Sequence, residues 1–322
     1  MTVNDRKEKV CDLLNKLRRE REDLFFAAND DDTHLFRVYS HSGLVLAVTK
    51  EWNFSQEFFK AYMQYIPDDQ SGTDLKAAIE NLNATSSLQT WIDFYSNKAR
   101  LNTWIEAHRR WACGIGGSSG KRWIEKYNQH IIAINNNSQI ADFEFTANSV
   151  QKNARADLVL FDEKNKLLTY VEYKCTYGAT TSKTCGLLDH IIEMSESAGC
   201  DIFNQEAVKR YYRRLMKNDD SVKPSHVSVV TLITFDKEFN GEKIGDQRLT
   251  PQALYNHLHY KGHPKTNGIM VKDFIKQKCP DARFLIYDRC EDVDFSNYEN
   301  DLLTVDQLVH KLSEHYRVRV SK

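Results

Sequence analysis

What the chain lacks narrows its class first. Its 7 cysteines are odd in number and include no Cys-x-x-Cys pair, which argues against a disulfide framework and for free thiols in a reducing compartment. Neither charge sign dominates. With 44 Lys and Arg against 45 Asp and Glu, the net charge is -1, so no global field draws the protein to nucleic acid and any such surface must come from local segregation of charge. The longest apolar run, Val227 to Phe235, is too short to cross a bilayer. The opening MTVNDRKEKV lacks the apolar stretch of a signal peptide, and the expectation is a cytoplasmic protein with no membrane partner. There is no repeat of fixed period and no low-complexity tract. What is there is 322 residues, enough to bury a substantial core in one elaborated domain or two smaller ones.

Hydrophobic periodicity organises the amino-terminal part. Residues 3 to 27 place Val10, Leu13, Leu14, Leu17 and Leu24 at helical spacing, and Lys16, Arg18 and Arg19, interleaved with glutamates, read as a solvated face. After the polar break Asn29 to Asp32, Leu35 to Val48 alternates as a hairpin around His41-Ser42-Gly43. Helical patterns return at Ser55 to Tyr65 and Leu88 to Ala112. The segment GIGGSSGKR, Gly114 to Arg122, fails the phosphate-loop spacing and follows no strand, so it reads as a linker closing a mainly helical region, residues 1–115. Lys121 to Ile134 is the next helix, with Glu125 beside its apolar stripe, and Ile140 to Asn148 alternates as a strand.

The chemistry gathers between Ala154 and Thr176, ARADLVLFDEKNKLLTYVEYKCT. The polar DEKNK turn, Asp162 to Lys166, lets Leu158 to Phe161 and Leu167 to Val171 pair as antiparallel strands, which brings Asp157 level with Glu172. Strand alternation puts Glu172 and Lys174 on one face and Val171 and Tyr173 on the other. Two converging carboxylates repel unless a cation or a proton separates them, and oxygen-only ligation suits Mg2+ or Mn2+. A lysine beside that cation can hold the attacking water and offset charge on a phosphate in transit. Acid-x-Lys triplets also occur at Asp5/Lys7, Asp74/Lys76 and Asp162/Lys164. Only Glu172/Lys174 ends an apolar strand that follows another headed by its own aspartate. The competing reading is a surface hairpin with a cross-strand ion pair.

Asp157, fourteen residues, then Glu172-Tyr173-Lys174 resembles the signature of the PD-(D/E)xK nuclease superfamily, with Ala156 where the pattern has proline. The resemblance covers residues 120 to 236. It implies a restriction-endonuclease-like α/β core, residues 116–240, with a mixed central sheet flanked by helices. It also implies a metal held by Asp157, Glu172 and the Tyr173 carbonyl, a water positioned by Lys174, and a further carboxylate from the first core helix, for which Glu125 is the candidate.

Downstream, Leu187 to Ser197 is a short helix and Asn204 to Lys217 another. Lys209, Arg210, Arg213, Arg214 and Lys217 form one stripe at i, i+3 or i+4 spacing, either a phosphate-backbone contact or a solvated face. His226 to Phe235 is the mark of a strand buried on both faces. Residues 241–322 add an α/β extension: a helix at Pro251 to Tyr260, a strand at Arg283 to Tyr287 and a helix at Val305 to Tyr316, capped by Thr304 and Gln307. His257, His259, His263 and Cys279 meet no zinc-ligand spacing. The resemblance implies a Mg2+-dependent deoxyribonuclease, with Mn2+ as substitute, acting on double-stranded DNA. The mass beyond the core favours a sequence-specific, homodimeric type II restriction endonuclease over an exonuclease or phage-defence nuclease with the same site. A non-catalytic nucleic-acid-binding protein on the same fold is the alternative from another class.

Overall fold

The computed structural model describes residues 2–28, 34–82, 86–116, 122–146, 155–183, 186–215, 217 and 222–318. The chain forms two compact units, Met1–Ile134 and Asn135–Lys322. The division falls at the end of a helix, not in the glycine-rich segment, whose residues 117–121 lie outside the described residues. Trp123 explains the difference: its amide donates to the Ala112 carbonyl (2.9 Å) and its ring stacks on Trp111, which ties the chain beyond the glycines back to the unit before them.

In the first unit, α1 (Val3–Glu20) is amphipathic, buries Val10, Leu13, Leu14 and Leu17, and is held at its start by a Thr2/Asp5 capping box. It ends earlier than the periodicity predicts because Phe25–Ala28, apolar throughout, is a fully buried strand, β1. The polar break at 29–32 lies outside the described residues. β2 (His34–Ser40) and β3 (Gly43–Thr49) form the expected hairpin, and β1 adds to β2, so the sheet order is β1-β2-β3, all antiparallel. A three-stranded sheet thus joins the helices of this region. His41 and Ser42 both take positive φ at the turn (49° and 63°), the conformation that suits the strand twist.

Next come α2 (Phe59–Tyr62), α3 (Gln70–Glu80), α4 (Leu88–Ser96), α5 (Lys98–Cys113) and α6 (Ile124–Asn135). The single helix expected over 88–112 breaks at Asn97, whose side chain caps α5 by accepting from the Arg100 amide (3.1 Å). Trp91, Trp104, Phe59 and Tyr95 dominate the core.

The second unit is built on a mixed sheet of five strands: β4 (Ile140–Thr146), β5 (Arg155–Asp162), β6 (Leu167–Lys174), β7 (His226–Thr234) and, after a two-residue pair β8 (Glu238–Phe239) and β9 (Glu242–Lys243), β10 (Arg283–Tyr287). Its order is β10-β7-β6-β5-β4, antiparallel between β4, β5 and β6 and parallel between β6, β7 and β10. Residues 147–148 and 154 lie outside the described residues. The apolar, β-branched β7 lies between two parallel partners, which is why its sequence does not alternate.

The carboxy-terminal residues thus extend this sheet through β10. Helices α7 (Tyr177–Thr181), α8 (Leu187–Ala198), α9 (Asp201–Arg214), α10 (Pro251–Leu258), α11 (Val271–Lys278) and α12 (Val305–Glu314) complete the unit. α9 and part of α8 cover Val159, Phe161, Leu168 and Tyr170, while α8, α10, α11 and α12 enclose Ile233, Phe235 and Phe284. The Thr304/Gln307 capping box forms as expected. No helix among the described residues is long and apolar enough to cross a membrane.

Candidate active site

The DEKNK turn pairs β5 with β6 in the register Leu158↔Val171 to Asp162↔Leu167. Continued by one residue, that register sets Asp157 opposite Glu172. Alternation then puts Asp157, Val159 and Phe161 on the same face as Glu172, Tyr170 and Leu168, the face beneath α8 and α9. Regular pairing stops at Leu158↔Val171. Beyond it the Tyr173 amide donates to Asp157 Oδ2 (2.8 Å) instead of to the neighbouring backbone, so the carboxylate satisfies a donor the ladder has abandoned and is itself fixed at the end of the strand pair.

Glu172 is 2 % exposed and Lys174 4 %. Lys174 Nζ donates to Glu172 Oε1 at 2.6 Å, and His190 Nδ1, from the first turn of α8, meets the same oxygen. Burial pushes the Glu172 carboxyl up, but the Lys174 ammonium and the His190 ring outweigh it and hold the group below the usual range. A buried charge is tolerated only when paired in this way. The other face agrees with the alternation: Tyr173 Oη hydrogen-bonds Thr234 Oγ1 at 2.6 Å, away from Glu172.

Access differs among the four groups. Glu172 and Lys174 are enclosed, whereas Asp157 is half-buried and the His190 side chain 30 % exposed. A solute therefore meets Asp157 and His190 first.

His190 was not among the residues picked out from the sequence. A signal was there: it falls three residues after Leu187 and four before Met194, both buried, so a polar ring interrupts the apolar stripe of its own helix. Glu125 lies in the first turn of α6, in the first unit and half-buried.

The basic stripe of α9 is not one surface. Arg210 is buried, with Nη1 3.0 Å from Asp142 Oδ2 on β4 and Nε 3.1 Å from Glu206 Oε1. Arg214 is also buried and donates to the carbonyls of Ile140 and Asn137, the latter at 2.9 Å. Both guanidiniums clamp α9 to β4 and cannot bind phosphate. The cause is Asp142, whose side chain points into the interior where only a cation could accompany it. Lys209 and Arg213 are half-buried, and Lys217 is exposed beside Glu163 (3.7 Å). Met216 lies outside the described residues.

Two other places fit a metal less well. Asp236, Cys290 and Glu291 converge among the described residues, but Asp236 accepts from the Cys290 amide (2.9 Å) and from the Thr234 hydroxyl, so it caps the turn after β10. Burial and the nearby carboxylates push the Cys290 thiol up, away from the thiolate a metal needs. His257 and His263 are buried with ring centres 6.5 Å apart, while the His259 ring lies between the Tyr255 carbonyl (2.9 Å) and Lys272 Nζ (2.9 Å). A cavity of about 480 Å3 opens at the opposite end of β5 and β6, but Asp162, Glu163 and Glu299 line it and would repel a phosphate.

No protein-family model matches the chain, and no significant match was found among curated proteins or among solved structures.

Proposed function

We propose that the protein is a metal-dependent deoxyribonuclease whose centre is Asp157, Glu172 and Lys174. The observation that carries the reading is the buried Glu172–Lys174 pair, set in register with an aspartate fixed at the mouth of the same strand pair. A fold has no stability reason to enclose such a pair, since apolar residues of equal volume do as well or better. What favours chemistry is the grouping of this pair with a second carboxylate and a histidine at one strand end. The order of elements in the second unit, three antiparallel strands, helices and a parallel strand, is compatible with the core the PD-(D/E)xK resemblance implies.

The donor set suits Mg2+, or Mn2+ in its place: two carboxylates at one strand end, with the Tyr173 carbonyl as a further hard oxygen. Bound there, the ion would supply Lewis-acid stabilisation to the phosphate and acidify water. The chain's own groups do the rest. The Tyr173 amide orients Asp157, and His190 and Lys174 together fix Glu172. Lys174 holds the attacking water and offsets charge on the phosphoryl oxygens. Water adds to phosphorus, the bond to the 3'-oxygen breaks, that oxygen takes a proton, and the products are a 5'-phosphate and a 3'-hydroxyl. Within this class, the mass outside the core favours a sequence-specific, homodimeric type II endonuclease acting in the cytoplasm.

The test is cleavage of linear, supercoiled and single-stranded DNA with Mg2+. Asp157→Asn keeps an acceptor for the Tyr173 amide while removing the charge, so it should melt like the parent yet lose about 10²- to 10³-fold in rate, and Lys174→Met should lose at least as much. If the parent leaves every DNA intact, the binding-protein reading takes over. Discrete fragments would identify a restriction enzyme and a smear an exonuclease.

A further inference from the structure

The second unit has several stretches without any of the chain's 45 acidic residues, among them Cys175 to Leu188 and Gln247 to Lys272. The first starts at the residue after Lys174. The structure joins them, since the Leu249 amide donates to the Cys175 carbonyl (3.2 Å), Thr176 bridges Arg248, and α10 packs on α7. Between them they carry Lys183, Arg248, Lys261, Lys265 and Lys272. This is the local segregation of charge that the overall balance demands of any nucleic-acid surface, and the α9 stripe does not provide it.

Each stretch presents an aromatic ring to solvent. Tyr177, three residues beyond Lys174, is 50 % exposed and Tyr260 is 40 % exposed. Lys183 Nζ sits 5.8 Å from the Tyr260 ring centre. A Cβ at residue 262 would come within 2.4 Å of Tyr260 Oη, so the ring lies against the glycine of its own loop. Lys265 ties this loop to the site: it pairs with Asp189, the neighbour of the His190 that meets Glu172.

Exposed tyrosines beside lysines are the elements that bind single strands, where every unpaired base offers a ring face and every phosphate a charge. A closed duplex hides its base faces and gains only the charge term. We propose that the surface formed by Tyr177, Lys183, Tyr260 and Lys261 grips unpaired nucleotides and leads them to the Asp157/Glu172/Lys174 centre. The proposal rests on the nuclease reading for the purpose of the surface. If it holds, the same centre cuts a duplex where it is open, at an end or around an extruded nucleotide, and within the nuclease class the duplex-restriction reading gives way.

The experiment reads binding alone. Full-length protein in EDTA is titrated with a fluorescein-labelled 20-nucleotide oligo(dT) and with a blunt duplex of equal length, at several salt concentrations. The single strand should bind at least about tenfold more tightly. Tyr177→Ala and Tyr260→Ala should each weaken it by about tenfold and leave the duplex unchanged. Lys183→Ala with Lys261→Ala should lower the salt slope by roughly one to two. Equal affinity for the two forms overturns the proposal. So do four substitutions that leave oligo(dT) binding unchanged in proteins that melt normally, or binding to anionic phospholipid vesicles without binding to oligo(dT). Because no cleavage is needed, a protein that binds as described but never cuts refutes the nuclease reading only, and one that cuts DNA while its binding ignores these residues refutes the surface only.

Discussion

The two units treat buried titratable groups in opposite ways. The first keeps imidazoles neutral. Burial holds His41 and His108 down to about 4 and His130 down to about 3, and the His108 ring, 2.7 Å from the Trp104 carbonyl and 3.0 Å from that of Leu44, lies so close to Gly43 that a Cβ there would come within 2.2 Å of it. The second encloses full charges in pairs, Asp142 with Arg210 and Glu172 with Lys174. A neutral ring donates to only one of the two carbonyls beside it, yet it carries no buried charge and packs a hairpin against a helix. A buried ion pair returns little net stability and must be argued for by its position. Asp142–Arg210 joins two elements and touches nothing reactive, whereas Glu172–Lys174 sits at a strand end beside a second carboxylate and a histidine. Burial of charge alone is thus a poor guide to function, and the grouping around it is what separates an anchor from a candidate centre.

The comparison can be broken at three points. The largest effect is expected at the anchor: Arg210→Met leaves Asp142 enclosed without a partner and should destabilise the second unit by about 3–5 kcal/mol, most of it recovered when Asp142→Leu is added. Urea unfolding of both variants checks this, and a single variant as stable as the parent would demote the pair to decoration.

The second effect is a pH response. An imidazole whose folded value lies below its unfolded one binds fewer protons when folded, so its contribution is complete above about pH 6.5 and drains away as pH falls toward 4. His108 alone accounts for about 3 kcal/mol, at about 1.4 kcal/mol per pKa unit. The second unit holds one such ring, His257, also lowered to about 4 by burial, and its lowered Glu172 weakens the fold only below the ordinary carboxyl range. Hydrogen exchange at pH 7 and pH 5 should therefore show β2 and β3 losing protection before β6 and β7; the reverse order would contradict the contrast.

The smallest effect sharpens the centre itself. His190→Ala should slow DNA cleavage about 10- to 100-fold through kcat with KM little changed, and should weaken Mn2+ binding measured by calorimetry, while His190→Asn, which keeps a donor near the Nδ1 position, should recover much of both. Loss confined to melting temperature would make His190 only a packing residue.

The hairpin around Asp157, Glu172 and Lys174 was legible because everything that sets it lies within one turn: alternation fixes the faces and the polar DEKNK segment fixes the register. The same holds for β7, whose unbroken apolar run already demanded cover on both sides. Helical spacing sets Arg210 and Arg214 on one basic stripe, because it shows which residues share a face and not what that face meets. Asp142, 68 positions earlier in the chain than Arg210, decided that. His190 was overlooked for a related reason, since its partner Glu172 sits on a strand and no periodicity links a helix to a strand.

By itself, then, the sequence determined the local geometry, namely the strand alternation, the turn, the capping box at Thr304 and the facing of the acidic and basic groups in EYK, because these depend on torsions and neighbours a few residues away. Only the tertiary structure decided which charges are enclosed, that β10 joins β7 in parallel, that Trp123 binds the chain beyond the glycines to the first unit, and that two acid-free stretches far apart in the chain meet beside Lys174. Those outcomes depend on which surfaces exclude water from one another, and that is settled only when distant segments pack.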